Sequence, residues 1–267
     1  MADIGALFAR MGIAGGVASD LTVTRVVMEG GGRPAAPRVV SKRCPMQVLF
    51  VIDESASMHG HKFREAVEGA RSVLAGLRAK DWVGLYTFAT VTREMVAPGE
   101  KQKREEVMLR ELDSMLAAGP QGDSTALYKA VDAVSRQFVP ARESIKELQY
   151  ELVVVTDGGD NASKETTAAA VAAALAEKKR TTLPTLHVTV LAVGVEEAGR
   201  RGMRDMVGGV GEVHDVGSGE QTLRTVFADV VAPGIEERSR VLSVQILQVE
   251  QRGPRAAAPA LRPPKEM

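Results

Sequence analysis

Unbroken apolar runs at 48–52 and 152–155 contrast with the evenly spaced apolar positions between them. A run without alternation suits a strand buried on both faces. Phe63, Ala66, Val67, Ala70, Val73, Leu74 and Leu77 recur at helical spacing among charged neighbours and predict a helix covering a sheet face. Residues 82–88 read as the next strand, with 91–96 paired to it as a hairpin or edge extension. Met108, Leu109, Leu112, Met115 and Leu116 mark a helix. Another carries Leu127, Ala130, Val131, Val134 and Phe138; a turn-rich stretch from Gly119 to Ser124 precedes it, and Thr125 sits at its entrance. Beyond the second apolar run come an Ala-rich helix over 166–178, a strand over 187–193, a short helix near Met203 and Met206, and a strand over 212–216. A last helix has Leu223, Val226, Phe227, Val230 and Val231 on its apolar side.

Strands alternating with helices predict an α/β fold, a doubly wound and mostly parallel sheet with helices on both faces. Residues 21–27, 38–40 and 241–249 read as strands outside that alternation and are expected to pair as a small β annex formed by the termini. Gly30-Gly31-Gly32-Arg33-Pro34 would turn between the first two. Ile4, Leu7, Phe8 and Met11 share a helical face. The resulting division is 1–45 for an N-terminal helix and annex, 46–236 for the main domain, 237–250 for a returning annex strand, and 251–267 for a Pro- and Ala-rich disordered tail.

Composition narrows the function classes. The 34 Lys and Arg balance 34 Asp and Glu, so no global field favours nucleic acid or an anionic membrane. The single cysteine, Cys44, cannot form an internal disulfide, and a reducing, cytoplasmic setting is expected over a secreted one. Residues 6–18 imitate a secretion signal, but Asp3 precedes them and Arg10 interrupts them. No apolar stretch approaches the roughly 20 residues that span a bilayer, and a soluble chain is expected.

The candidate chemistry lies at two strand ends. The first apolar run delivers Asp53-Glu54-Ser55-Ala56-Ser57, and the second delivers Thr156-Asp157-Gly158. In an open parallel sheet, ligands sit in the crevice beyond the strand ends. Carboxylates and hydroxyls gathered there suit a hard cation such as magnesium, which takes oxygen ligands.

These segments, with Gly60-His61-Lys62-Phe63 and the stretch from Asp81 to Phe88, resemble the von Willebrand factor type A domain and its metal-ion-dependent adhesion site. That signature is D-x-S-x-S followed by a distant Thr and a distant Asp. Asp53, Ser55 and Ser57 match its first element, Thr125 the second and Asp157 the third. The resemblance runs from Val48 to Ile235. It implies a mostly parallel sheet with one short antiparallel edge strand. It also implies hydroxyl contacts from Ser55, Ser57 and Thr125, with Asp53 and Asp157 acting directly or through water. A partner's Glu or Asp side chain would complete the shell of a magnesium ion, with manganese and calcium as the alternatives.

The expected function is therefore a metal-dependent protein-binding module, neither an enzyme nor a nucleic-acid binder. The alternative is a non-catalytic helper subunit of an ATPase or chelatase-type complex. Ser57 beside His61 invites a nucleophile-and-base reading, but G-x-S-x-G is absent, as is a phosphate-binding G-x-x-x-x-G-K-[ST] loop. Glu54 is expected to face solvent or pair locally, and His59 and His61 to be surface residues. Asp160 reads as a loop-shaping or solvent residue. Thr156 and Ser124 are read either as donors that orient a neighbouring ligand or as turn hydroxyls bonded to backbone. Gly208-Gly209-Val210-Gly211 reads as a plain turn.

Overall fold

The computed structural model describes residues 20–28, 38–140, 148–217 and 222–251. The predicted helical face from Ile4 to Met11, the segment 6–18, the Gly30 to Pro34 turn and the tail from 252 onward lie outside these residues. Two compact units are present, one spanning Cys44–Ser239 and one built from the terminal segments.

In the terminal unit, β1 (Asp20–Met28) and β2 (Arg38–Arg43) flank β9 (Arg240–Gln251), the last strand among the described residues. β1 runs parallel to β9 and β2 antiparallel to it. The three annex strands predicted from the sequence thus form one sheet, in the order β1-β9-β2. Strand β9 extends to Gln251, one residue into the predicted tail.

The larger unit holds a six-stranded sheet. Its strands are β3 (Met46–Asp53), β4 (Trp82–Phe88), β5 (Thr92–Glu100), β6 (Gln149–Thr156), β7 (His187–Val193) and β8 (Gly211–Val216), in the spatial order β5-β4-β3-β6-β7-β8. All neighbours are parallel except β5, which folds back antiparallel on β4. This is the mostly parallel, doubly wound architecture predicted from the sequence. β3 is buried along its whole length, which explains its unbroken apolar run. The edge strand β5 outlasts its apolar residues and includes Pro98 and Gly99, which an edge tolerates because it lacks a second ladder to complete.

Helices cover both faces. α1 (His61–Gly76), α2 (Lys101–Ala118) and the C-terminal helical segment pack on one side, around Phe50, Ile52, Val153 and Val155. α3 (Leu127–Ser135), α4 (Ala168–Thr181) and α5 (Glu197–Val207) cover the other, around Leu49, Val51, Leu152 and Val154. Successive strand residues therefore feed opposite cores, each fully buried Val or Leu contributing about 1.5–3 kcal/mol. Phe138, predicted on α3, lies beyond its end and packs edge-on against Tyr150 with ring centroids 5.5 Å apart.

The C-terminal segment comprises α6 (Leu223–Val226), a π-helical turn at Phe227–Val231 and α7 (Ala232–Arg238). The Ala232 N–H bonds Phe227 O, five residues back, and Pro233 follows with no N–H to give. Gly208–Val210 forms a 3₁₀ turn into β8, the plain turn expected there. No helix of the described residues is long and apolar enough to cross a membrane.

Candidate metal centre

The chain builds β3, moves outward through β4 to β5, and then returns to place β6 on the other side of β3. The order reverses between β3 and β6, and a crevice opens at the carboxyl ends of that pair. Asp53 is the last residue of β3, and Asp157 directly follows β6. The topology alone brings these two acids together.

The loop after Asp53 is held in place by hydrogen bonds at each residue. The Ser55 N–H donates to Asp53 Oδ1 at 2.8 Å, and the Glu54 N–H donates to Phe88 O at 2.8 Å. A 3₁₀ turn at Ala56–Met58 follows and exposes Ser57 while burying Met58. Ser55 Oγ lies 3.2 Å from Ser57 Oγ, which donates to Asp157 Oδ1 at 2.6 Å. Four of the five predicted site residues, Asp53, Ser55, Ser57 and Asp157, thus form one connected polar chain.

Thr125 reaches the same crevice from a third loop. Gly122 makes a parallel bridge with Ser55 and donates its N–H to Glu54 O at 2.8 Å. A side chain at Gly122 would meet Ala89 Cβ at 2.1 Å, so only glycine lets this loop approach so closely. The Thr125 N–H donates to Asn161 Oδ1 at 2.8 Å, and its carbonyl accepts from the Asn161 N–H at 2.9 Å. Its hydroxyl faces the Asp157 loop, 3.3 Å from where a Cβ on Gly158 would sit.

Asp53 is fully buried. Burial pushes its carboxyl pKa above the ordinary range, opposed by the hydrogen bonds from Thr156 and Ser55, while the neighbouring Asp157 charge pushes it further up. Thr156 Oγ1 donates to Asp53 Oδ2 at 2.5 Å and accepts from the Gly158 N–H at 3.3 Å, so this one hydroxyl both orients the acid and shapes the turn. Asp160 is loop-shaping: its Oδ1 accepts the Tyr128 N–H at 3.1 Å at the start of α3 and a hydrogen bond from the Ser163 hydroxyl.

Of the two positions expected for Glu54, facing solvent or paired with a neighbour, the structure has the second. It is buried and lies 3.1 Å from Arg93 on β5, and its carboxyl is pushed up by burial against the opposing pull of that guanidinium. His59 and His61 are exposed, as expected. Lys62, quoted in the sequence resemblance without a role, places Nζ 2.6 Å from Asp157 Oδ2 and 3.5 Å from Ser57 O. Its only prior signal was its place one residue into α1, which begins four residues after Ser57.

Two carboxylates and three hydroxyls are hard oxygen donors that could hold a divalent cation. Among the described residues no group of three or more His, Cys, Asp and Glu side chains is arranged to hold a metal, so the hydroxyls are essential to any site here.

The sequence profile of the von Willebrand factor type A domain matches residues 47–228. No curated protein sequence matches the chain. Among solved structures, the conserved hypothetical protein BatB from Bacteroides thetaiotaomicron is similar at 17% identity with a TM-score of 0.55, over 73% of this chain and 98% of that one. An aerotolerance-related membrane protein from Bacteroides fragilis is similar at 19% identity with a TM-score of 0.52, covering 72% and 98% of the two chains. A von Willebrand factor type A protein from Catenulispora acidiphila is similar at 16% identity with a TM-score of 0.55, over 78% of this chain but 47% of its own. At these identities the structural likeness speaks for the fold alone. With the profile matching more than half of the chain and covering the whole crevice, the chain belongs to the von Willebrand factor type A domain family.

Proposed function

We propose that this protein is a divalent-metal-dependent protein-binding module, in which Asp53, Ser55, Ser57, Thr125 and Asp157 hold magnesium, with manganese or calcium as substitutes, and a partner's Glu or Asp side chain completes the shell. The observation that carries the reading is the connected oxygen chain Ser55 Oγ, Ser57 Oγ and Asp157 Oδ1. Its spacings of 3.2 and 2.6 Å bracket the roughly 2.9 Å between adjacent ligands around a six-coordinate ion with bonds of about 2.05 Å. A bound ion supplies an electrophilic centre that an incoming carboxylate neutralises.

The protein's own groups do the rest. Thr156 and the Ser55 N–H hold the two oxygens of Asp53, and Asn161 fixes the Thr125 backbone. Asp53, Ser55, Thr125 and Asp157 are buried whereas Ser57 is exposed, which leaves the approach on the Ser57 side. The proposal places the protein in the cytoplasm and assigns it no reaction. Metal-dependent phosphatase or esterase turnover that disappears in Ser57→Ala contradicts that last point.

Acetate serves as a probe for the partner carboxylate. In manganese-loaded protein, water-proton relaxation enhancement should fall saturably as acetate is added and displaces bound water. The Ser55→Ala, Ser57→Ala double variant should show no such enhancement. Enhancement in the wild type that acetate leaves unchanged would count against carboxylate capture at the ion.

A further inference from the structure

Lys62 sits where the proposed ion would meet the protein's negative charge. Its ammonium lies 2.6 Å from Asp157 Oδ2, while the other oxygen of that carboxylate accepts the Ser57 hydroxyl at 2.6 Å. The Asp157 side chain is 1% exposed and that of Lys62 31%, so a flexible, partly solvated cation caps a buried acid. Asp53, fully buried, lies close enough for the Asp157 charge to act on it. Two buried carboxylates without a compensating cation repel each other and lose hydration.

We infer that Lys62 is the resident counter-charge of this crevice: it stabilises the metal-free form by pairing with Asp157 and thereby weakens divalent-ion binding. The inference rests on the metal-site reading above and adds a specific antagonist to it. A divalent ion drawing on Asp157 meets the ammonium either as a competitor for the carboxylate or as a like charge a few ångströms away. Both effects have the same sign. At a separation of about 5 Å, even with full aqueous screening, the repulsion weakens ion binding on the order of tenfold. Lysine suits this role because its single mobile charge on a flexible stem can withdraw into solvent when the ion binds.

The alternative role for Lys62 is to hold Asp157 in position for the metal, which predicts the opposite sign. Isothermal titration of magnesium into chelator-stripped wild type, Lys62→Met and Lys62→Arg separates the two. The inference predicts dissociation constants on the order of tenfold lower for Lys62→Met and near wild type for Lys62→Arg. It also predicts a thermal midpoint in EDTA that is lower for Lys62→Met than for wild type and is restored by magnesium. Should Lys62→Met fold poorly, Lys62→Gln carries the same expectations. Wild type that binds magnesium while Lys62→Met binds it equally or more weakly overturns the lysine inference and leaves the metal site standing. An unchanged EDTA midpoint in Lys62→Met also overturns it. Folded wild type and folded variant that both ignore millimolar magnesium overturn the metal site and the inference together.

Discussion

Asp53 ends a strand with no exposed surface, so its carboxylate depends on protein groups for its hydrogen bonds. Ser55 N–H serves one oxygen and Thr156 Oγ1 the other. Thr156→Val keeps the shape and removes the second donor, leaving a buried carboxylate oxygen without that bond. The expected loss of stability is about 1–3 kcal/mol in urea unfolding, together with weaker magnesium binding. A variant as stable as wild type with unaltered metal affinity would remove Thr156 from this account. The acids and hydroxyls were legible in the sequence because each falls just past an apolar run or at a helix entrance, where the chain's order fixes their position. Lys62 was not legible as part of the site, since its contact with Asp157 spans 95 residues and its charge is equally at home on a solvated helix face. The partner of Glu54 was not legible for a related reason: Arg93 lies on an edge strand whose register no local pattern reveals.

Among the elements, α1 packs closely against the C-terminal segment at Gly69. An added Cβ at Gly69 would meet the Phe227 ring at 1.9 Å, and Phe227 opens the π-helical turn. Alanine is the better helix former by about 1 kcal/mol, so a helix free of this neighbour would gain from the change. Here Gly69→Ala forces the ring to move, and a net loss of about 1–3 kcal/mol is expected in chemical denaturation. A stabilised variant would mean that the turn yields without cost. The apolar periodicity of these helices was readable, and so were the strands, because central strands buried on both faces leave an unbroken apolar signature. The π turn was not readable, because the apolar residues Val226, Phe227, Val230 and Val231 satisfy an ordinary helical spacing equally well. The end of α3 was overrun for the same reason, Phe138 being buried at a helix-compatible interval without belonging to the helix.

Across the main unit, β6 links two polar centres. At one end is Asp157; at the other is Glu151, about 20 Å away for a strand of this length. Glu151 is fully buried, accepts a hydrogen bond from Thr189 Oγ1 at 2.7 Å and pairs with Arg238 of α7 at 2.8 Å, so the C-terminal segment is fastened to the sheet by charge as well as by the apolar packing of Val231 and Ile235. Breaking a fully buried pair costs about 3–5 kcal/mol; with 27% of the Arg238 side chain exposed, Arg238→Met is expected to cost about 2–3 kcal/mol in thermal or urea unfolding. No change would show that His187 and Thr189 satisfy Glu151 unaided. Glu151 precedes the apolar run at 152–155 and carried no functional signal in the sequence, because its partners Thr189 and Arg238 lie 38 and 87 residues away along the chain. The overall wrapping was predictable from the alternation of elements, and the sheet order then places the crevice without further assumption.

The central claim is that five side chains from three loops hold one divalent ion. Isothermal titration of magnesium into chelator-stripped protein tests it directly, comparing wild type with the Ser55→Ala, Ser57→Ala double variant after both are shown to be folded. The account predicts a single saturable site in wild type and its loss in the variant. Equal binding by the two proteins, or none by folded wild type, would contradict it.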